Sequence, residues 1–487
     1  MRLTVLLFVL FGVGAALASS SNLQDARSTP AWFTQGVMYQ IQPRAFTPEG
    51  TLKAAEAKLP YLKELGVTIA YLVPVFRMDD DMDQSFWSPR QVRSGFNNPK
   101  NQYRISDYYH VDSEYGTDAD LLSFVTTAHK LGMKVLFDLV YYHAGPTSPI
   151  FRRHPEFTSW NADGTIAKGG WRFPQFDFRC PGVREYLWNN MVYLITEFGV
   201  DGYRCDIGDA IPLDFWYEGH RRMDAVTKGE AILLCEGYDE QNQVSTFDAD
   251  YGWFPAEALT ETNGAVRLRQ RWEYRELMSA RGAKFVNHYE NHDIATDLRP
   301  RREAQWGTAA VDQVLVWMFT LDGIPMLFTG NEIADADPKH SMFGKSPMDW
   351  SQLEREPGKS RHALVTRLAR IRREHAAFTE LNGRNGLSWL DVKGSAKVGA
   401  FVRRDRAGNQ VVVVQNWGKE AAEVEIGFAV KPDPVPDYLS YKAVDRSVKG
   451  RFAEKPLLAR AAERTGERTF RLGPYGYSIT EIKQENK

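Results

Sequence analysis

Eight short apolar runs, each followed by a longer stretch that can pack as a helix, constrain this chain more than any other feature. Seven are plain: GVMYQI at 36–41, TIAYLVPV at 68–75, KVLFDLV at 134–140, DGYRCD at 201–206, AILLCE at 231–236, AKFVNH at 283–288 and GIPMLFTG at 323–330. A weaker one, FDADYGWF at 247–254, falls in the interval where an eighth is needed. Most begin or end beside Gly, Asp or Asn, as buried parallel strands do where they emerge into loops. Between them, residues 52–65, 118–131 and 183–198 place apolar side chains three and four apart, the spacing of one helix face. Further helices are predicted at 212–228, 262–281, 302–321 and 359–375. Eight strands with crossover helices predict an α/β fold closed as a (β/α)8 TIM barrel. An open doubly wound sheet has the same periodicity but leaves two edges to be covered.

The rhythm changes on both sides of that repeat. Residues 1–18 begin with Arg2, run apolar from Thr4 and end in the small pair Ala16 and Ala18, the pattern of a cleaved secretory signal. A secreted or periplasmic protein without a stable membrane span is the expectation. Residues 19–390 are then the barrel domain, and 391–487 are β-rich and predict a C-terminal antiparallel sandwich, with Pro432, Pro434 and Pro436 in a connection. Two loops, 76–107 and 144–182, exceed an ordinary βα turn. Both would rise from the strand C-terminal face, where substrate-shaping loops belong, and Trp87, Trp171, Phe173 and Phe176 are costly choices for mere solvent coverage.

Charge and cysteine content exclude several classes. Sixty basic against 62 acidic residues leave no excess to replace counterions along a phosphate backbone, so a nucleic-acid partner is not expected. Cys180, Cys205 and Cys235 cannot make a disulfide framework, and the last two lie inside apolar runs that predict burial. No Cys/His zinc spacing occurs.

The chemistry-bearing residues gather at the ends of the strand-like runs: Asp138 and His143, Arg204 and Asp206, Glu236, and His292 with Asp293. A parallel barrel brings such ends to one mouth. The segments DLVYYH (138–143), DGYRCD (201–206), CEG (235–237) and NHD (291–293) resemble, in order and spacing, the four signature regions of the alpha-amylase family, glycoside hydrolase family 13. NQYRISDYYHVDSEYGT (101–117) and GIPMLFTGNE (323–332) are similar to that family's approach to its third strand and to its eighth strand.

The resemblance implies Asp206 as nucleophile, Glu236 as acid/base and Asp293 as the third carboxylate that holds the sugar. Arg204 would keep Asp206 ionised by charge pairing, and Glu236 would carry the proton a leaving group needs. Tyr103, His143 and His292 would surround the sugar, the tyrosine ring stacking on it and both histidines donating to its hydroxyls. Such a pair of carboxyls gives net retention when about 5 to 5.5 Å apart. The implied substrate is an α-linked oligosaccharide or polysaccharide of glucose. An α-glucosidase or transglycosylase uses the same intermediate, a non-catalytic carbohydrate-binding protein would have lost the carboxylates, and a metal-dependent hydrolase would need a His-x-His or similar spacing that is absent.

Two departures bear on metal. Tyr142 stands where the family commonly has an Asn that ligates calcium, and Asp206 is followed by IGD rather than a Lys-His pair. No cofactor is expected, and no calcium at the usual family site. DDDMD at 79–83 lacks the glycine turn and closing glutamate of an EF-hand and is expected to be a solvated acidic loop.

Overall fold

The computed structural model describes residues 24–295, 299–337, 340–380, 382–427, 452–466 and 468–484. The expected signal at 1–18 and the prolines at 432, 434 and 436 lie outside them. No helix among the described residues is long and apolar enough to cross a membrane.

Each of the eight apolar runs supplies one strand. They are β1 (Met38–Ile41), β2 (Ile69–Leu72), β3 (Lys134–Leu139), β4 (Gly202–Cys205), β5 (Ile232–Cys235), β6 (Ala249–Trp253), β7 (Phe285–His288) and β8 (Ile324–Phe328). All neighbours pair in parallel in sequence order, and β8 returns to β1 with Met38 opposite Met326, so the sheet closes. Both faces of each strand are covered. Met38, Tyr71, Leu234, Val286 and Met326 form one buried cluster, while alternate residues such as Tyr39, Phe137, Leu233 and Leu327 pack in a second with helix residues. Cys205 and Cys235 are buried neighbours in register across β4 and β5, Cys180 is half-buried, and all three are free.

Local chemistry sets the helix ends. Thr117 and Asp120 form a reciprocal capping box at the start of helix Asp118–Lys130, which satisfies two of its orphan donors. Helix Pro181–Phe198 stops at Gly199 in the left-handed region, φ 74°. Two stretches read as single helices are broken. Residues 52–65 split into Leu52–Glu56 and Leu59–Leu65, with Pro60 in the first turn of the second, because proline has no N–H to continue a helix through that point. Residues 302–321 split at Gly307 into Arg302–Trp306 and Thr308–Thr320.

The chain then forms an antiparallel domain of six strands: β9 (Leu387–Lys393), β10 (Val398–Arg404), β11 (Gln410–Asn416), β12 (Ala422–Gly427), β13 (Phe452–Arg464) and β14 (Thr469–Gln484). They hydrogen-bond in the order β11-β10-β9-β12-β14-β13, and β11 also pairs with β14, so one sheet folds over on itself to give two packed faces. Its first strand starts at Leu387, ahead of the expected boundary at 391. The final segment, expected as a strand pair, is the single strand β14, and its partner is β13. Val402, Val412, Val414, Ile426 and Leu472 fill the inside of this domain, whereas Phe401, Val411, Val413 and Ile479 face the barrel's core. Gln313 and Gln415 exchange bonds with each other's backbone neighbourhood, Gln415 Nε2 to the Gln313 carbonyl at 3.1 Å and Gln313 Nε2 to the Asn416 carbonyl at 3.3 Å.

Candidate active site

The strand ends place Asp138, Arg204, Asp206 and Glu236 side by side. Asp138 and Arg204 are register partners in β3 and β4, while Asp206 and Glu236 each stand one residue past a strand. Arg204, fully buried, is the hub. Its Nη1 lies 2.7 Å from Asp138 Oδ1 and 2.8 Å from Asp206 Oδ1, and its Nη2 lies 2.6 Å from Glu236 Oε2. The turn after Asp206 is strained: Ile207, β-branched, has φ 40° and ψ 47°. That conformation lets the Ile207 N–H donate to Glu236 Oε2 at 2.9 Å and the Gly208 N–H donate to the Glu236 carbonyl at 3.0 Å. A Cβ on Gly208 would come within 2.5 Å of Cys235 Sγ, so only glycine fits the turn that ties the two carboxyl-bearing segments together. Strain held in place by its surroundings is a mark of functional sites.

Around this pair the ring residues are locked. Tyr103 donates its hydroxyl proton to Asp138 Oδ2 at 2.8 Å, and Tyr71 donates to the same oxygen at 2.6 Å. His292 Nε2 lies 2.7 Å from the Tyr103 hydroxyl and its Nδ1 2.8 Å from Gln40 Nε2, while the His292 N–H donates to Gln40 Oε1 at 3.1 Å. Only one proton assignment satisfies every member: Gln40 donates to Nδ1, and Nε2–H donates to the tyrosine oxygen. His143 points its Nε2 at the Tyr103 carbonyl, 2.7 Å away, so the proton sits there and the buried Nδ1 is an acceptor with no partner. Burial lowers both histidines to about 4, which keeps them neutral. The expectation that both donate to a ligand is therefore corrected: their donors are spent on Tyr103, and what His143 offers is a lone pair.

Tyr103 and His292 stack with ring centroids 5.1 Å apart. Asp293 is gripped from the 76–107 loop, where Arg90 Nη1 reaches its Oδ1 at 2.5 Å and Arg90 Nη2 donates to the His292 carbonyl at 2.9 Å. Against the cost of desolvation, the His292 ring, once acid protonates it, together with Arg90 and Arg204, holds the Asp293 carboxyl well below the usual carboxylate range. Burial instead pushes Asp206 and Glu236 upward; Arg204 pulls each back, and the surrounding carboxylates push up again. Charge pairing with Arg204 is present as expected, but it does not outweigh burial at Asp206. Two carboxyls crowded on one guanidinium hold a proton between them to higher pH than either would alone.

The seven sequence-derived residues meet at one cavity of about 490 Å3: Tyr103, His143, Asp206, Glu236, His292 and Asp293 line it, with Arg204 buried beneath. Asp138, already marked by its place at a strand end, completes the constellation with Arg90, Gln40 and Tyr71, which were not among the expected site residues. Gln40 and Tyr71 had a visible signal, polar groups inside otherwise apolar runs, whereas nothing in the local sequence marks Arg90. Trp171 and Phe173 bring the 144–182 loop to the cavity. Trp171 adopts φ 54°, unusual for a bulky residue, and leaves 51% of its surface exposed beside His143.

Asp80, Met82 and Asp83 in the acidic 79–83 loop are exposed as expected, but Asp79 is buried and the backbone has an internal partner. It wraps Arg104, whose fully buried guanidinium donates from Nη2 to the carbonyls of Asp79 at 3.0 Å and Asp81 at 2.7 Å and to Asp79 Oδ1 at 3.3 Å, and from Nη1 to the Phe86 carbonyl at 3.3 Å. Asp79 Oδ2 accepts from the Thr147 N–H and hydroxyl at 2.8 and 2.9 Å. Tyr142 lies against Trp171, not against an acidic group. The oxygens here already hold a cation supplied by the chain, so they do not fit a calcium ion. Among the described residues no group of three or more His, Cys, Asp or Glu is placed to hold a metal.

The family model described as "Alpha amylase, catalytic domain" matches residues 25–163. An alpha-amylase of Haloarcula japonica is 28% identical over 415 residues, 81% of this chain and 57% of that protein, so this chain spans little more than half of that relative. A cyclomaltodextrinase of a Bacillus species is 24% identical over 449 residues, 81% of this chain and 75% of that one. The solved structure of a maltogenic alpha-amylase from Thermotoga neapolitana superposes with a TM-score of 0.68 at 21% identity, covering 93% of this chain and 97% of its own. An acarbose-complexed alpha-amylase from Geobacillus thermoleovorans gives 0.69 at 21% identity, covering 94% and 100%; at such identities the likeness speaks for the fold. With that fold, a family model matching residues 25–163, relatives that run through most of its length and the ordered signature residues at one barrel mouth, this chain is similar to the alpha-amylase family along most of its length.

Proposed function

We propose that this protein is a secreted or periplasmic retaining glycoside hydrolase that cleaves α-glucosidic linkages in starch-derived or related gluco-oligosaccharides. The observation that carries the proposal is the single guanidinium shared by Asp206 and Glu236 at the mouth of the barrel. One planar group touching both carboxyls suits the narrow spacing of retaining sites, about 5 to 5.5 Å, better than the wider gap that admits a water in inverting ones. The names of the relatives, alpha-amylase and cyclomaltodextrinase, support an α-glucan as the substrate class.

In this reading the shared proton sits on Glu236 before reaction and passes to the glycosidic oxygen as Asp206 attacks the anomeric carbon. Glu236 then takes a proton from water, and the resulting hydroxide equivalent releases the sugar from Asp206 with retained configuration. Asp293, kept ionised by Arg90, holds the sugar's vicinal hydroxyls. The His143 lone pair accepts from another hydroxyl, and the exposed Trp171 indole offers an apolar platform to a pyranose face. In this reading no cofactor takes part, and Arg104 supplies the buried cation of the 79–83 loop.

Azide separates the two roles. Asp206→Asn and Glu236→Gln should each lose about 10⁴-fold or more in turnover of maltooligosaccharides. With α-maltosyl fluoride, which needs little protonation, Glu236→Gln should recover and yield the α-azide, whereas Asp206→Gly should yield the β-azide. Near-normal turnover of natural substrate by either carboxamide variant would refute the assignment. The same runs in heavy-oxygen water separate hydrolysis from transfer to an acceptor sugar.

A further inference from the structure

A second cavity of about 430 Å3 lies against the outside of β6 and shares no lining residue with the catalytic cavity. It begins at Gly237 and Tyr238, directly after Glu236, and runs beside helix Gly264–Met278 to Ser279. The short helices immediately on either side of β6 explain the opening. Asn242–Ser245 and Glu257–Thr260 have four residues each, too short to roof the strand between them.

Its lining combines two properties that a surface left to water does not need. Aromatic faces are presented to solvent: Tyr238 is 72% and Tyr274 62% exposed, with half-buried Trp253 in the same wall. Behind them sit hydrogen-bond donors without acceptors. Arg275 Nε and Nη2, Trp272 Nε1 and Trp317 Nε1 are all buried and unpaired, although native interiors leave few such groups. Arg271 adds a charged donor at the rim, paired with Glu257 at 3.0 Å.

We infer that this groove is a second carbohydrate-binding site, which holds another stretch of the same α-glucan chain outside the catalytic cavity. The inference rests on the proposed function for the identity of the sugar. A pyranose has an apolar face that stacks on an exposed aromatic ring and a rim of hydroxyl and ether oxygens that accept from arginine and indole N–H groups. A purely apolar partner would leave the four donors unpaired, and an anion would meet Asp239 and Glu257 in the same lining. Because the groove starts where the catalytic cavity ends, a polysaccharide can span both, and the second contact raises the local concentration of substrate at the first.

The test uses the full chain carrying Asp206→Asn, so that glucan is not digested, in gels cast with soluble starch. Tyr274→Ala and Arg271→Ala in that background should each weaken retardation, Tyr274→Ala by about fivefold as for loss of one aromatic contact, and Tyr274→Phe should restore it. In the otherwise wild-type enzyme Tyr274→Ala should lower activity on starch and leave turnover of 4-nitrophenyl α-maltoside unchanged. Retardation equal in all variants would overturn the inference. So would a change in elution from dimer to monomer with starch affinity intact, which would make the groove a contact between copies of this chain. Absence of turnover on every α-glucan would instead count against the proposed function, because gel retardation involves no chemistry.

Discussion

Replacing Arg104 by Met tests whether its buried guanidinium is what holds the acidic 79–83 loop in place. Arg104 and Asp79 are both fully buried, and the guanidinium serves three carbonyls as well as the carboxylate. Methionine keeps most of the volume but leaves the Asp79 side chain only the Thr147 and Asp81 donors. Breaking a buried ion pair by removing one partner costs about 3 to 5 kcal/mol. Unfolding entropy of about 2.1 cal/mol/K per residue, taken over 487 residues, is about 1 kcal/mol/K, so the melting temperature should fall by about 3 to 5 °C. Since Tyr103 adjoins Arg104 and packs on His292, KM should rise as well. Scanning calorimetry of wild type and Arg104→Met, each with chelator and with calcium, gives the measurement. Wild type should be indifferent to chelator. The variant, with an emptied ring of oxygens, should regain about 1.4 kcal/mol in 1 mM calcium if the ring binds with a Kd near 10⁻⁴ M. A shift below about 1 °C in Arg104→Met, or a large calcium-reversible loss of stability and activity in wild type, would refute the reasoning.

Two further outcomes follow from the site and its surroundings. Arg90→Met removes a partner at 2.5 Å from Asp293, whose pair is partly exposed, so kcat/KM should fall by about tenfold. The Asp293 carboxyl should also titrate higher, moving the acid limb of the pH–rate profile upward; an unmoved limb would show that Arg90 does not set that ionisation. Glu332, buried beside Tyr39 and Tyr61, is raised from 4.5 to about 7, chiefly by burial. A carboxyl raised in the folded state binds its proton more tightly there, so it favours folding below about pH 4.5 and loses that contribution as pH rises through about 7. Glu332→Gln should therefore gain about 3 kcal/mol, or about 3 °C, at pH 8 and nothing at pH 4; an equal gain at both pH values would exclude titration as the cause.

Both the legible and the illegible parts of this protein have physical reasons. The strands could be read because a parallel barrel covers both faces of every strand, which forces compact apolar runs. β6 was the faintest because its side chains are unusually polar for such a position. Asp248 and Asp250 are buried there only because Arg27 and Thr29 bond the first, and Asn242 and Gln243 the second. β13 was missed because its own sequence, FAEKPLLARAAER, carries the alternation of no single face. The carboxylates were legible as a set because strand ends converge by construction, whatever separates them in sequence.

What the sequence could not disclose is which group meets which across long loops. Arg90 reaches Asp293 across 203 residues, and Arg104 enters the acidic loop from 25 residues away. Neither partner is marked by spacing, since a loop of irregular backbone has no period. The same gap produced the error about the histidines. Residue type says that imidazole can donate, but whether a donor is free depends on the Tyr103 carbonyl and hydroxyl that stand in its path. Once both imidazole protons are committed, the sugar pocket offers charge at Asp293, a lone pair at His143, a proton at the Asp206–Glu236 pair and guanidinium donors at Arg90 and Arg93. At Asp293 and His143, which accept, the ligand is held through its own hydroxyl protons. Deoxygenation of the sugar at the positions held by Asp293 should then cost more than O-methylation of a hydroxyl at the Trp171 face, and equal losses at both faces in kcat/KM would contradict the acceptor role of Asp293.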